Sequence, residues 1–149
     1  MSPVTGYRRI AVCVDDDDAS RDALTAARRL LEPDGELLVV HVLANADLAV
    51  LASPTMALPP LQESTEHGHA LLRGLVDAAA AERPVLLAGE DPAQAVCAWA
   101  AGEGHPDLIV AAAVRGRLSR ALHGAFAAHL AYHAPCPVLV VHHEPPPAA

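Results

Sequence analysis

Apolar residues along the chain are concentrated in five short runs, and segments with helical spacing separate them. The runs cover residues 7–14, 36–43, 84–88, 107–113 and 137–141, and each is almost continuously hydrophobic. A run of this length and composition is typical of a strand that is covered on both faces, as in the centre of a parallel sheet. The pattern therefore predicts five buried strands.

The segments between these runs predict four helices. The first follows the acidic residues 15–18 and stops at 33–35 (Pro-Asp-Gly), the second covers 62–82, the third opens at Asp91-Pro92, and the fourth covers about 120–133. An aspartate cap followed by a proline in the first turn is a common helix start. We expect the third helix to end near Gly102 or Gly104, and residues 44–60, with their three prolines, to form a long connection.

Strands that alternate with helices indicate an α/β fold with an open parallel sheet, helices on both faces and right-handed crossovers. The length of 149 residues fits one domain, and we predict a single domain over residues 1–149 with flexible tails at 1–6 and 144–149. Ligands bind such sheets at the carboxyl ends of the strands, where the strand order reverses. We therefore expect a site at the turn that begins with Asp15 and the loop after strand four, residues 111–125.

Composition and charge exclude several classes of protein. The hydrophobic fraction is 52% and the formal net charge is −8, which argues against a disordered chain and against general binding of nucleic acid or anionic membranes. The apolar runs are too short to span a membrane, and residues 1–9 lack the pattern of a signal peptide. Three widely spaced cysteines, Cys13, Cys97 and Cys136, without a CxxC motif, predict free thiols in a reducing cytoplasm.

Five segments carry a family pattern in a fixed order. They are YRRIAVCVDDDDASRDAL with its aspartate after the first strand, ELLVVHV with its His-Val ending, GEDPAQAV, DLIV, and HAPCPVLVV at residues 133–141. In this order they resemble the universal stress protein family over most of the chain. The resemblance implies a Rossmann-like fold of the adenine nucleotide alpha hydrolase-like type, with a five-stranded sheet ordered 3-2-1-4-5. It also implies a homodimer that pairs through the last strand.

Many members of that family bind ATP through a loop with the pattern Gly-x-x-Gly-x9-Gly-Ser/Thr after the fourth strand. Here Gly124 matches the third glycine, whereas Ala111 and Val114 stand at the first two and Ala125 stands at the hydroxyl position. Glycine at such positions lets backbone N–H groups approach phosphate oxygens without interference from a Cβ atom. The departures from the pattern therefore predict weak binding of ATP, or none.

One set of residues would line the cleft if a nucleotide binds, with ATP or AMP and Mg²⁺ as the candidate ligands. From the resemblance and the position of the cleft, the set is Cys13, Val14, Asp15, Val42, Ala111, Val114, Arg115, Arg117, Gly124, Ala125 and Phe126. For the three apolar members near the first two strands, packing in the core is the alternative role. Asp15 is either a ligand contact or part of an acidic helix start that satisfies free N–H groups.

Arginines give the segment after strand four a positive charge in an otherwise acidic chain. Arg115, Arg117 and Arg120 lie close together in sequence, and no acidic residue occurs between Asp107 and Glu144. Guanidinium groups are suited to bind a small anion at the start of the fourth helix. The alternative is a solvated loop whose arginines pair with the aspartates of residues 15–18.

Motifs for catalysis and metal binding are weak or missing in the sequence. His129 and His133 lie four apart on a predicted helix, but no third ligand is evident, so we predict no metal site. There is no nucleophile elbow and no phosphate-loop lysine, since the chain has no lysine. We predict a non-catalytic, cytoplasmic regulatory protein of the universal stress type with weak or no ATP binding. The alternative is an adenine-nucleotide sensor for ATP, AMP or a cyclic nucleotide, possessing at most slow ATP hydrolysis.

The last predicted strand has the composition of an interface. In the order 3-2-1-4-5 it lies at the sheet edge, where unpaired backbone groups are usually protected by charge or proline. Its residues are all apolar: Val138, Leu139, Val140 and Val141. Pairing with the same strand of a second copy across a twofold axis would satisfy these backbone groups and cover the apolar surface. We therefore predict a homodimer through these four residues, with His142 and His143 near its rim.

Overall fold

A computed structural model of the chain describes residues 6–44, 61–114 and 119–143. Within these ranges, five parallel strands form one sheet in the order β3-β2-β1-β4-β5. The strands are β1 (Tyr7–Cys13), β2 (Leu31–Ala44), β3 (Glu82–Gly89), β4 (Leu108–Val114) and β5 (Val138–His143). The predicted α/β class and the predicted strand order are both confirmed.

In the part of the chain that the structure describes, four α-helices lie against the sheet, two on each face. They are α1 (Asp18–Leu30), α2 (Leu61–Leu75), α3 (Pro92–Trp99) and α4 (Ser119–His133). Helices α1 and α2 pack on one face, and α3 and α4 pack on the other. The predicted start of α3 is confirmed, because the Asp91 side chain accepts hydrogen bonds from the N–H groups of Ala93 and Gln94.

The core has two parts because the strands of the sheet are covered on both faces. Alternate residues of each strand point to opposite sides, so that Val12 and Val39 pack under α1 and α2, whereas Ala11 and Val40 pack under α3 and α4. All four of these side chains are fully buried. The near-continuous apolar runs in the sequence follow directly from this arrangement.

Two predicted boundaries are wrong. The second helix was expected to reach Glu82, but α2 ends at Leu75 and a 3-10 turn at Ala78–Ala80 leads into β3. The chain reverses there at Ala81, whose backbone is left-handed with φ 59°. In addition, β2 begins at Leu31 rather than Glu36, since a bulge between the pairs Tyr7–Leu31 and Arg9–Glu36 accommodates the intervening residues.

A partly buried ion pair joins α1 to the beginning of β3. Glu82 is buried, and its carboxylate accepts hydrogen bonds from Nε and Nη2 of Arg28 at 2.7 and 2.8 Å. Arg28 also donates to the Leu75 carbonyl at 3.0 Å, and the Asp77 N–H donates to Glu82 at 2.9 Å. This cluster fixes the end of α2, the following turn and the start of β3 relative to α1.

A π-helical turn, Ala100–Gly104, ends the segment that begins with α3. Its last glycine is packed tightly, since a Cβ atom at Gly104 would lie 2.7 Å from the indole ring of Trp99. The Gly104 carbonyl accepts a hydrogen bond from Arg9 at 2.6 Å, which links the turn to β1. The turn lies at the amino ends of the strands, opposite to the edge where the candidate site is expected.

Candidate functional site

The strand order reverses at β1, which pairs with β2 on one side and β4 on the other. Chain connections therefore leave β1 and β4 toward opposite faces, and an opening forms at their carboxyl ends. Val14 and Asp15 follow β1 at this edge, and the Val14 N–H donates to the Val40 carbonyl at 2.8 Å, so pairing with β2 continues past Cys13. The candidate site lies at this edge.

The four consecutive aspartates divide into different roles. Asp17 is the N-cap of α1 and accepts a hydrogen bond from the Ser20 N–H at 2.7 Å. Asp18 lies in the first turn and pairs with Arg21 at 3.0 Å. Asp17 therefore satisfies an N–H group at the helix start, and Asp18 adds a negative charge to its first turn, as expected for an acidic helix start. Asp15 lies before the helix and is exposed at the sheet edge.

The peptide bond between Val14 and Asp15 is held at both ends. The Val14 carbonyl lies 2.9 Å from Nδ1 of His41, and because a carbonyl oxygen only accepts, Nδ1 carries the proton. At the other end, the Asp15 N–H donates to the Ser20 hydroxyl oxygen at 2.6 Å. His41 and Ser20 were absent from the predicted site, although the His-Val ending of β2 was already a visible signal.

Three apolar residues of the predicted site are mainly core residues. Cys13 and Val14 are buried on opposite faces of the sheet, and Val42 is half-buried on the same face as Cys13. Burial and, to a smaller extent, the nearby Cys97 thiol together raise the pKa of the Cys13 thiol to about 12. The Cys13 thiol is therefore protonated near neutral pH, which is the expected state of a packing residue.

The predicted phosphate segment begins inside the sheet. Ala111 is fully buried in β4, where it pairs with Val140 of β5, and Val114 is the last residue of the strand. Gly124, Ala125 and Phe126 all belong to α4, and the Phe126 ring packs partly into the core. A glycine in place of Ala111 would thus remove a core methyl group. Arg115 and Arg117, and with them the anion site or solvated loop expected there, lie outside the described residues.

No metal centre is found in the part of the chain that the structure describes. Within those ranges, no three His, Cys, Asp or Glu side chains are grouped closely enough to hold a metal ion. His129 and His133 lie on one face of α4 as predicted, with ring centroids 4.5 Å apart. Asp15 and Asp16, which follow β1, carry exposed carboxylates in the described part of the site.

The last strand forms one edge of the described sheet. The Pro137 carbonyl accepts from the Ile109 N–H of β4 at 3.0 Å, and since successive residues of a strand point their backbone groups to opposite sides, Val138 and Val140 direct theirs to the open edge. Leu139 is 36% exposed although it is apolar, and Tyr132 on α4 is 85% exposed. His143 donates to Asp22 of α1 at 2.5 Å.

The order of the five strands, and the position of the candidate ligand site where that order reverses, define the class of this protein. It is an α/β protein with the Rossmann-like, adenine nucleotide alpha hydrolase-like fold. Within the ranges that the structure covers, no helix is long and apolar enough to cross a membrane.

Comparison with known proteins then gives the family. The family model described as Universal stress protein family matches residues 6–142, so the chain belongs to the universal stress protein family. This confirms the resemblance found in the sequence. No curated protein gives a significant match.

Solved structures of the same family are similar over nearly the whole chain. The universal stress protein UspA from Lactobacillus plantarum is 22% identical, with 91% of this chain and 98% of that chain covered and a TM-score of 0.63. A universal stress protein from Archaeoglobus fulgidus in complex with dAMP is 20% identical, with coverages of 91% and 98% and a TM-score of 0.60. A family member from Arabidopsis thaliana with AMP bound is 20% identical, with coverages of 89% and 90% and a TM-score of 0.60. At these identities the likeness shows the fold.

Proposed function

We propose that this protein is a non-catalytic, homodimeric regulatory protein of the universal stress family that binds an adenine monophosphate in preference to ATP. The observation that carries the proposal is the contrast between the β1 side and the β4 side of the candidate site. At the end of β1, Asp15 is exposed and its backbone is held on both sides. At the end of β4, the positions where the ATP pattern has glycine are occupied by Ala111 and Val114.

The β1 side of the edge supports recognition of the nucleoside. Two solved relatives carry dAMP and AMP, and these ligands suggest that a monophosphate is sufficient for binding in this fold. In this chain the family position of the strand-one aspartate is Asp15, and an exposed carboxylate beside a backbone held in place is suited to accept hydrogen bonds from ribose hydroxyls or an adenine amino group. We place the nucleoside there.

The β4 side of the edge argues against tight binding of a triphosphate. A phosphate chain is normally bound by backbone N–H groups that glycine leaves accessible. Ala111 is a buried core residue, and Val114 adds a β-branched side chain where the pattern has a second glycine. The chain also carries a net charge of −8, which opposes the additional negative charge of ATP relative to AMP.

Calorimetric titration with AMP and ATP, each with Mg²⁺, tests this proposal. We expect ATP to bind with a Kd weaker than about 100 μM and AMP to bind at least about tenfold more tightly. Asp15→Asn is expected to weaken AMP binding, and Asp16→Asn is the matched control, since it removes the same charge from the next exposed residue. Low-micromolar ATP binding, or steady release of phosphate from ATP, would contradict the proposal.

The homodimer and the cytoplasmic location are parts of the same proposal. The apolar edge of β5, with Leu139 exposed and the backbone groups of Val138 and Val140 directed outward, supports pairing with a second copy. All three cysteines are free thiols, which fits a reducing compartment. Light scattering at micromolar concentration tests the assembly, and a monomer under those conditions would contradict it.

A further inference from the structure

The fold brings two side chains to opposite ends of a single peptide bond at the candidate site. His41 comes from β2 and Ser20 from the first turns of α1, and they bind the carbonyl of Val14 and the N–H of Asp15, at 2.9 and 2.6 Å. A peptide plane that is hydrogen-bonded at both ends cannot rotate without breaking one of the bonds. These two residues therefore fix the peptide plane from which the Asp15 side chain leaves the backbone, and the Asp15 carboxylate itself accepts a hydrogen bond from the Asp16 N–H at 2.9 Å.

Both side chains are enclosed by the surrounding fold. Ser20 is 4% exposed, and its own N–H is bound by the Asp17 cap, so the hydroxyl oxygen has a fixed position. The His41 ring is half-buried, and α2 passes over it at Gly68, where a Cβ atom would lie 3.5 Å from Cδ2 of the ring. Packing on the ring keeps Nδ1 directed at the Val14 carbonyl.

From this geometry we infer that His41 and Ser20 are positioning residues, which hold the Val14–Asp15 peptide from its two ends and thereby orient Asp15 toward a bound adenine monophosphate. The inference rests on the proposed function for its ligand. The two hydrogen bonds that His41 and Ser20 make to the Val14–Asp15 peptide, called the clamp below, are a property of the protein without ligand. His41 acts through its Nδ1 proton and Ser20 through its hydroxyl oxygen.

Substitutions at His41 separate the hydrogen bond from simple packing. In His41→Asn the amide nitrogen branches from Cγ as Nδ1 does, so it can donate to the same carbonyl. His41→Leu keeps an apolar side chain of similar size without a donor, and His41→Gln moves the donor one bond further out. We expect His41→Asn to resemble the wild-type protein, and the other two to increase hydrogen exchange of the Asp15 amide by about three- to tenfold.

The same variants are then titrated with AMP. We expect the Kd of His41→Asn to stay within about twofold of the wild-type value, and those of His41→Leu and His41→Gln to rise by about three- to tenfold. Ser20→Ala removes the bond at the other end and should give the same two effects. The double variant His41→Leu, Ser20→Ala should raise the Kd for AMP by no more than the product of the two single fold-changes, because both residues hold the same peptide.

The results distinguish the clamp from the proposed function. Unchanged exchange of the Asp15 amide in both His41→Leu and Ser20→Ala would overturn the clamp, whether or not AMP binds. Faster exchange with unchanged AMP affinity would overturn the positioning role. If the wild-type protein does not bind AMP, the proposed ligand is wrong, and the exchange rates alone then decide whether the clamp exists. If His41→Leu does not fold, Ser20→Ala and His41→Gln provide the same comparison.

Discussion

Replacement of Arg28 by methionine would test whether the ion pair with Glu82 stabilises the fold. Methionine keeps an unbranched apolar stem on α1 but removes both hydrogen bonds to the Glu82 carboxylate and the one to the Leu75 carbonyl. After the change, the Glu82 side chain, which is 3% exposed, keeps the hydrogen bond from the Asp77 N–H. We expect Arg28→Met to lower the free energy of unfolding.

The size of the loss follows from the burial of the two partners. Removing one partner of a fully buried ion pair costs about 3–5 kcal/mol, because the remaining charge stays in a poorly solvated place. The Arg28 side chain is 42% exposed, however, so that water already reaches its end of the pair and screens the interaction. We therefore expect a loss of about 2 kcal/mol, the size of a hydrogen bond to a charged group.

The pH dependence of this loss has a definite sign. Burial raises the pKa of Glu82, but hydrogen bonds from Arg28 and Asp77 and the charge of Arg28 outweigh it, so the pKa is lowered from its ordinary value of 4.5. A carboxyl group whose pKa is lower in the folded than in the unfolded protein stabilises the fold at pH values above its unfolded pKa. This contribution is lost as the pH falls through its folded pKa. Without Arg28, burial would raise the pKa instead. The destabilisation caused by Arg28→Met should therefore be smaller at about pH 4 than at about pH 7.

Urea denaturation followed by circular dichroism at both pH values measures this effect. Arg21→Met is the matched control on the same helix, because Arg21 and Asp18 form an ion pair in which the side chains are 60% and 79% exposed. We expect the control to change the free energy of unfolding by less than about 0.5 kcal/mol. Equal losses in the two variants, or a loss for Arg28→Met that grows as the pH falls, would refute the reasoning.

Three further predictions concern the phosphate segment, the sheet edge and the π-helical turn. Val114→Gly with Ala125→Ser restores two positions of the family pattern and should tighten ATP binding by about tenfold in calorimetry; unchanged affinity in a folded variant would contradict the role given to these positions. Val140→Pro removes a donor from the open edge and should convert the dimer to a monomer in light scattering without loss of helical dichroism, whereas a persistent dimer would exclude this edge. Gly104→Ala places a Cβ atom 2.7 Å from an indole ring and should cost about 1–3 kcal/mol in urea denaturation. At Gly102 a Cβ atom would meet nothing within 4 Å, so an equal cost for Gly102→Ala would show that the ring contact is not the cause.

Local sequence signals were sufficient where a few neighbouring residues decide the structure. The start of α3 is an example, since Asp91 supplies the cap and Pro92 fits the first turn of the same short segment. The five apolar runs likewise predicted five strands, because a strand covered on both faces must be apolar at nearly every position. The strand order and the family came from the resemblance, and the sheet and the family match agree with both.

Contacts between distant segments decided the boundaries that the pattern missed. The helical spacing of α2 continues toward Glu82, but that residue is bound by Arg28, which lies 54 residues earlier in the chain. The charge pair favours ending the helix and starting β3 there, since an unpaired buried carboxylate would be costly. Similarly, the Pro-Asp-Gly sequence at 33–35 reads as a turn in isolation, and it became a bulge in β2 through pairing with β1.

The candidate site shows the same division most clearly. The position of Asp15 in the site could be predicted from the sequence, because it directly follows the first apolar run and ligands bind parallel sheets at the carboxyl ends of the strands. The residues that hold its backbone could not, since His41 lies 27 residues from Val14 and meets it only through the register of β1 against β2. A hydrogen bond of 2.9 Å depends on that register and on the packing of α2 over the ring at Gly68, and spacing along the chain specifies neither.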